Sequence, residues 1–171
     1  NSDDAFERGL KKAGLTTDPE DIFSAQGQKV RASAKALTGK IMVRALEGRN
    51  GIVVDGTGKD YAKIKKQVDM LREMGYAVHM IFVNTDLETA LERNRNRPRS
   101  LPDKEVEKMW KDVQKNIGKF QGLFRNRMTI VDNSKGSDID GATMDAYKKI
   151  KAWSEKAPEN AKAIKWIKSQ K

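Results

Sequence analysis

The sequence contains no cysteine, which excludes a disulfide framework and a thiolate metal site. Its single histidine, His79, falls within the apolar run 78–83, so we expect a core or edge-strand residue. No His, Asp and Glu residues have the spacing of a metal site, and we predict none. The run 78–83 is the longest apolar stretch and is far too short to span a bilayer. Without a redox constraint, we expect a cytoplasmic setting.

Positive charge, by contrast, is abundant. The chain has 34 Lys and Arg residues against 24 Asp and Glu, for a formal net charge of +10 and a pI near 9.7. This excess favours anionic partners: a nucleotide, a phosphate-rich acceptor or a nucleic acid. A length of 171 residues is sufficient for a real hydrophobic core.

Short apolar segments alternate with helical patterns along the chain. We predict strands over residues 51–55, 77–84 and 128–132 and long helices over 21–46, 59–74 and 104–120. Continuous rather than alternating apolarity favours strands buried on both faces. This order predicts an α/β fold in which helices flank a parallel sheet in three layers. Residues 1–136 would form this core, and residues 137–171 would form a helical C-terminal extension.

Small polar residues follow each predicted strand. They are 55–58, 84–86 and 132–134. Ligands of parallel sheets bind beyond the carboxyl ends of the strands, so these segments predict a binding site. An acidic residue such as Asp55, placed after a buried strand, suits a metal's water shell or a substrate. Its alternative role is to cap the next helix.

An arginine-rich stretch, residues 87–106, follows the second predicted strand. Arg93 and Arg97 are four residues apart and would share one face of a helix. Guanidinium groups match phosphate oxygens in charge and geometry, so the pair predicts a phosphate site rather than a solvated basic helix. Arg95 and Arg99 would lie on other faces and serve solubility or substrate steering.

Two acidic residues, Asp3 and Asp4, stand at a predicted strand-to-helix turn. A carboxylate there could accept the proton of an attacking hydroxyl. From spacing alone, a pair of helix-capping residues is the simpler interpretation.

Three motifs resemble one known family when they are taken in order. They are Asn1-Ser-Asp-Asp, then Ile52-Val-Val-Asp-Gly-Thr, then Arg93 to Arg97 followed by Leu101-Pro and a helix with Met109-Trp110. Together they resemble the P-loop kinases of the polynucleotide 5′-kinase and zeta-toxin group. Over residues 1–134 the sequence is also similar to uncharacterised ATP-binding proteins of large tailed phages. A phage protein of this kind would act in the host cytoplasm.

The resemblance implies a kinase that uses ATP and Mg²⁺ to phosphorylate a hydroxyl of a nucleic-acid 5′ end or of a nucleotide-type acceptor. It implies that Asp3 is the general base and that Asp4, Asp55 and Thr57 bind substrate. A zeta-toxin-like sugar-nucleotide acceptor is an alternative. A basic nucleic-acid-binding protein without enzymatic activity, based on the lysine-rich residues 148–171, is another.

The lid arginines of this family bind the nucleotide and neutralise the transferred phosphoryl group. The resemblance assigns that role to Arg93 and Arg97, which would be both catalytic and ATP-binding.

One family motif is missing from the sequence. No Gly-x-x-x-x-Gly-Lys-Ser/Thr occurs, and Gly56-Thr-Gly-Lys59 followed by Asp60 is only a superficial likeness. In the family, the first strand and its phosphate-binding loop precede the Asp-Asp turn at which this sequence begins. The resemblance therefore implies a chain that lacks both, is inactive as given, and has an interrupted sheet between residues 51–55 and 77–84.

Overall fold

The computed structural model describes residues 2–97 and 100–170, which form a mostly helical structure with a small parallel sheet. The strands are β1 (Met80–Asn84) and β2 (Met128–Asp132). The helices are α1 (Asp3–Lys12), α2 (Pro19–Phe23), α3 (Ala25–Glu47), α4 (Tyr61–Glu73), α5 (Leu87–Arg95), α6 (Asp103–Gln114), α7 (Ile117–Phe124), α8 (Ile139–Ser154) and α9 (Ala161–Ser169), with a 3-10 turn at Arg125–Arg127. The chain divides into two compact units, Asn1–Gly56 and Thr57–Lys171. The mixed α/β class is confirmed. The three layers and the division at residue 136 stay predictions.

The first unit is built from α1, α2 and α3 around a small core. Its buried residues are Phe6, Leu10, Ile22 and Ala34. The single helix predicted over residues 21–46 is wrong, because the chain breaks at Ser24. The Ser24 hydroxyl accepts a hydrogen bond from the Gly27 N–H at 3.0 Å and so begins α3. A Cβ at Gly27 would lie 2.1 Å from the Asp21 carbonyl oxygen, so this close approach requires glycine.

The strand predicted over residues 51–55 is wrong. This segment has no regular structure, and Val53 and Val54 are 94% and 51% exposed. Apolar composition favours a strand only where a neighbouring strand supplies hydrogen bonds and a buried face. Within the described residues the sheet contains β1 and β2 alone, so residues 51–55 and 77–84 do not pair. The interrupted sheet that the resemblance implies presumed a strand over residues 51–55, and it stays a prediction.

The second unit contains the sheet. β1 and β2 run parallel in a register that extends from Met80 opposite Met128 to Asn84 opposite Asp132. β2 has the predicted bounds, whereas β1 begins three residues later than predicted. Burial on both faces is wrong for β1, since Phe82 is buried but Ile81 and Val83 are exposed. The reason is that α8 packs against β2 and leaves this face of β1 uncovered.

Aromatic rings dominate the core of the second unit. The fully buried Phe120 lies 5.4 Å from Tyr61, 6.2 Å from Phe82 and 6.4 Å from Phe124, measured between ring centroids. These contacts join α4, α7 and β1. Centroid separations in this range are typical of favourable aromatic pairs.

A buried asparagine interrupts the helix predicted over residues 104–120. The chain leaves helical hydrogen bonding after Gln114, and α7 begins after Asn116. The Asn116 amide donates to the main-chain oxygens of Gly58 at 3.1 Å and Lys59 at 2.9 Å. The break thus places the Asn116 amide where it donates hydrogen bonds to main-chain oxygens of the loop that precedes α4.

The C-terminal helices α8 and α9 are part of the second unit. α8 begins after Asp138, whose carboxylate caps the helix by accepting from the Gly141 N–H at 2.9 Å. In α9, the Lys162 ammonium donates to the main-chain oxygen of Glu73, the last residue of α4, at 2.6 Å. None of the helices within residues 2–97 and 100–170 combines the length and the apolar character needed to span a membrane.

His79 packs beneath α8, with its ring 5.1 Å from that of Trp153. Its Nε2 atom hydrogen-bonds to Thr129 Oγ1 at 3.0 Å, and its buried Nδ1 atom has no partner. Burial lowers the pKa of His79 below 6.5, and the positive charge of Arg127 lowers it further. At neutral pH the folded protein therefore keeps this ring neutral.

We expect the stability of the protein to fall as the pH drops below 6.5, because the unfolded chain then binds a proton that the folded chain resists. The urea midpoint, measured from pH 7.5 to pH 5 in steps of about half a unit, checks this dependence. His79→Gln, which has no titratable ring, should show a flatter profile. Parallel profiles for the two proteins would contradict the assignment to His79.

Candidate functional site

The carboxyl ends of β1 and β2 meet at one edge of the sheet. The main-chain N–H of Asn133 donates to the main-chain oxygen of Asn84 at 2.8 Å. The Thr85 hydroxyl donates to the main-chain oxygen of Asn133 at 3.3 Å. The Asp86 N–H donates to Ser134 Oγ at 3.0 Å. The predicted convergence of residues 84–86 and 132–134 is thus confirmed. Residues 55–58, the third predicted member, do not follow a strand.

The two carboxylates at this edge already have partners. Asp86 caps α5, with its two oxygens accepting from the N–H and the hydroxyl of Thr89, both at 2.7 Å. The Thr89 N–H, followed by its hydroxyl, lowers the pKa of Asp86 to about 2. The hydroxyl and N–H of Ser134 likewise lower the pKa of Asp132. Both carboxylates are charged and poorly suited to accept a proton at neutral pH.

Helix α6 supports the edge through two side chains. The Trp110 ring N–H donates to the Thr85 oxygen at 2.8 Å, and the Gln114 amide donates to Asn84 Oδ1 at 2.8 Å. The Trp110 ring is half-buried, and its N–H fixes the loop that follows β1.

Arg93 lies at the carboxyl edge. It belongs to the last turn of α5, and its Nη2 atom donates to Asn133 Oδ1 at 3.3 Å. The side chain is exposed, and this single contact leaves most of its five N–H donors available. The geometry therefore suits an anionic ligand that approaches the ends of β1 and β2.

Arg97 does not share a helix with Arg93, so the predicted common face is wrong. α5 ends at Arg95, and Arg97 lies in a bend beyond it, with its N–H donating to the Asn94 oxygen at 3.2 Å. Arg97 precedes Pro98 in the sequence, and a proline disfavours helical backbone geometry at the residue before it. This restriction explains why α5 ends before Arg97. The exposed Arg97 side chain pairs with no acidic residue in the part of the chain that the structure describes.

Arg95 is exposed, and its guanidinium also has a structural partner in Asp103. Its Nε atom lies 3.3 and 3.2 Å from the two carboxylate oxygens of Asp103, and its Nη2 atom also donates to Asp103. Hydrogen bonding to Arg95 lowers the pKa of Asp103. The pair ties the end of α5 to the start of α6. Arg99 lies outside the described residues.

Three of the remaining predicted site residues, Asp3, Asp4 and Asp55, belong to the first unit, and Thr57 begins the second. Asp3 and Asp4 form the exposed first turn of α1, where the helix dipole favours acidic side chains. Asp55 lies in the exposed irregular segment of the first unit, and Thr57 is the exposed first residue of the second unit. Their catalytic and substrate-binding roles stay predictions.

The residues of the edge do not fit a Mg²⁺ ion held by the protein. Among the described residues, no three His, Asp or Glu side chains are grouped so that they could hold a metal ion. Both oxygens of Asp86 and one oxygen of Asp132 accept hydrogen bonds. The arginines do fit phosphate oxygens, because their planar donors match that geometry.

Comparison with known proteins finds one family. A family model described as Zeta toxin matches residues 23–142 of this chain. The matched range is more than half of the sequence and contains both strands, the capped helix α5 and Arg93 with Arg97. No curated protein matches the chain.

Proposed function

We propose that this chain, which belongs to the Zeta toxin family, carries the arginine lid of an ATP-dependent phosphotransferase. The family is P-loop kinase-like, which supports phosphotransfer in general. The proposed reaction moves the γ-phosphoryl group of ATP to a hydroxyl of a nucleotide-type acceptor, either free or at a nucleic-acid 5′ end. A sugar nucleotide is the alternative acceptor.

The observation that carries this proposal is the position of Arg93. Its hydrogen bond to Asn133 places a guanidinium beyond the carboxyl ends of β1 and β2, and Arg97 follows on the adjoining loop. Phosphoryl transfer depends mainly on positioning and on neutralising the oxygens of the transferred group. The exposed guanidinium of Arg93 at this edge, together with the exposed Arg97 that follows α5, is proposed to supply that charge.

The proposed base is Asp3, with Asp4 beside it. In the reaction, the acceptor hydroxyl gives its proton to the Asp3 carboxylate while its oxygen attacks the γ-phosphorus and ADP leaves. The carboxylates at the sheet edge are poor candidates, because hydrogen bonds hold the pKa values of Asp86 and Asp132 low. Asp55 and Thr57 are proposed to bind the acceptor.

We expect the 171-residue chain to bind Mg-ATP with a dissociation constant no tighter than about 1 mM. The sequence contains no Gly-x-x-x-x-Gly-Lys-Ser/Thr loop, so the lid arginines act without the main-chain amides that normally cradle the phosphates. An NMR titration measures both the affinity and the residues involved. Shifts should concentrate at Arg93, Arg97 and Asn133.

Two results of that titration would count against the proposal. Micromolar binding of Mg-ATP would show that the chain holds a phosphate-binding site that the arginine lid does not explain. Shifts confined to the lysines of α8 and α9 would instead favour a basic nucleic-acid-binding protein. An oligonucleotide of matched charge, titrated in parallel, serves as the control for general attraction to polyanions.

A further inference from the structure

Helix α8 packs against the sheet with one side only. Ala146 on this side is buried, and the ring of Trp153, seven positions later, lies 5.1 Å from that of His79. The same helix contacts strand β2. Because this side supplies the apolar contacts of α8, the residues on its opposite side are not needed to attach the helix to the protein.

The opposite side, called here the outer face of α8, consists of Met144, Tyr147, Lys148 and Lys151. The last three residues lie three, four and seven positions after Met144, so the four share one side of the helix. Met144 is 52% exposed, Tyr147 is 59% exposed, and both lysines are exposed. The outer face therefore presents an aromatic ring beside positive charge.

Positive charge is concentrated in this part of the sequence. Residues 148–171 contain eight lysines and two glutamates, a net charge of +6 out of the +10 of the whole chain. Lys148 and Lys149 form no hydrogen bond or ion pair with any residue that the structure describes, and Lys151 forms only a long ion pair with Glu155, at 3.9 Å. These ammonium groups are available to an anionic partner.

We propose that the outer face of α8 binds single-stranded nucleic acid. The lysines contact phosphate groups, and the Tyr147 ring stacks on a base, since every base presents a flat face to an aromatic side chain. This surface shares no residue with the arginine lid. The proposal therefore does not presume that the chain transfers a phosphoryl group.

The exposed residues favour a single strand over a lipid surface or a duplex. A helix that docks on a membrane inserts a wide apolar face, whereas the outer face of α8 has two lysines among its four residues. In α9, Ile164 and Ile167 are each less than half exposed, so the protein itself covers most of their surface. A duplex keeps its bases stacked inside and leaves no free base face for Tyr147.

Fluorescence anisotropy with a labelled thymidine oligonucleotide of about 12 nucleotides tests the stacking contact on the full chain at low salt. Tyr147→Ala is expected to weaken binding about tenfold, whereas Tyr147→Phe, which keeps the ring, should bind like the wild type. Phe23→Ala is the matched control, because it removes an exposed aromatic ring from the first unit. Equal affinities of Tyr147→Ala and Phe23→Ala, with unchanged circular dichroism spectra, would overturn the proposal.

The salt dependence of the affinity tests the lysines. Lys148→Ala should reduce the slope of log affinity against log salt by about 0.7, because one phosphate fewer is neutralised on a single strand. Lys40→Ala removes an exposed lysine of α3 and should leave the slope unchanged. The same change in both variants would mean general attraction by the net charge, which contradicts a specific surface on α8.

Two further probes separate the candidate partners. They are a DNA duplex of the same length and vesicles that contain phosphatidylserine. Tyr147→Ala should weaken binding of the single strand more than binding of the duplex. Binding of the vesicles but not of the oligonucleotide would make this a membrane-docking surface, and equal losses for single strand and duplex would exclude base stacking. Either result would show that the proposal is wrong.

Discussion

Replacing Phe120 by alanine is expected to destabilise the protein by about 3–5 kcal/mol, the largest stability loss that we expect from a single substitution. The ring is fully buried and contacts the rings of Tyr61, Phe82 and Phe124. Its removal leaves a cavity at the junction of α4, α7 and β1. Domains of this size are stable by only about 5–15 kcal/mol, so the second unit would be close to unfolding. Urea denaturation followed by circular dichroism measures the loss.

Phe23→Ala provides the matched control for this prediction. Phe23 is 70% exposed, so the same truncation removes few contacts and should change the stability by less than about 0.5 kcal/mol. Similar losses for the two variants would mean that Phe120 is not the centre of the aromatic core.

Arg97→Ala is expected to weaken tripolyphosphate binding by about 10- to 100-fold, the range set by losing hydrogen bonds from a charged group. Arg97 is exposed and has no acidic partner among the described residues, so its substitution should leave the stability almost unchanged. Arg93→Ala should act similarly, with the additional loss of the contact to Asn133. Calorimetry at low salt measures the affinities.

Arg44→Ala is the control for charge in the Arg97 experiment. Arg44 is an exposed arginine near the end of α3 in the first unit, and its substitution removes the same charge from a different place. General attraction by the net charge of +10 would make the two variants equal. A loss of tripolyphosphate affinity in Arg97→Ala but not in Arg44→Ala supports a phosphate-binding lid. Equal losses of affinity in the two variants would contradict it.

The elements that the sequence predicted best are those specified by local interactions. α5 begins directly after the second predicted strand because Asp86 caps the Thr89 amide, an interaction between residues three positions apart. β2 has the predicted bounds because its apolar run is short and ends in polar residues. The convergence of residues 84–86 and 132–134 followed from the general geometry of parallel strands.

The incorrect predictions share a dependence on distant neighbours. Residues 51–55 have the composition of a strand, yet no strand in the described structure pairs with them. The single helix predicted over 104–120 ends early, and Asn116 at the break bonds to the loop before α4, more than fifty residues away in sequence. Hydrophobic periodicity contains no information about such partners.

The amino-acid sequence by itself determined the absence of cysteine chemistry, the excess of positive charge, the lack of a phosphate-binding loop motif and the arginine-rich stretch. Only the tertiary structure decided what the described arginines of this stretch contact. Arg95 is bound to Asp103, Arg93 reaches Asn133, and Arg97 lies exposed beyond the end of α5. Four similar residues spaced evenly along a chain are equivalent in sequence, but their roles depend on which donors and acceptors folding brings within hydrogen-bonding distance.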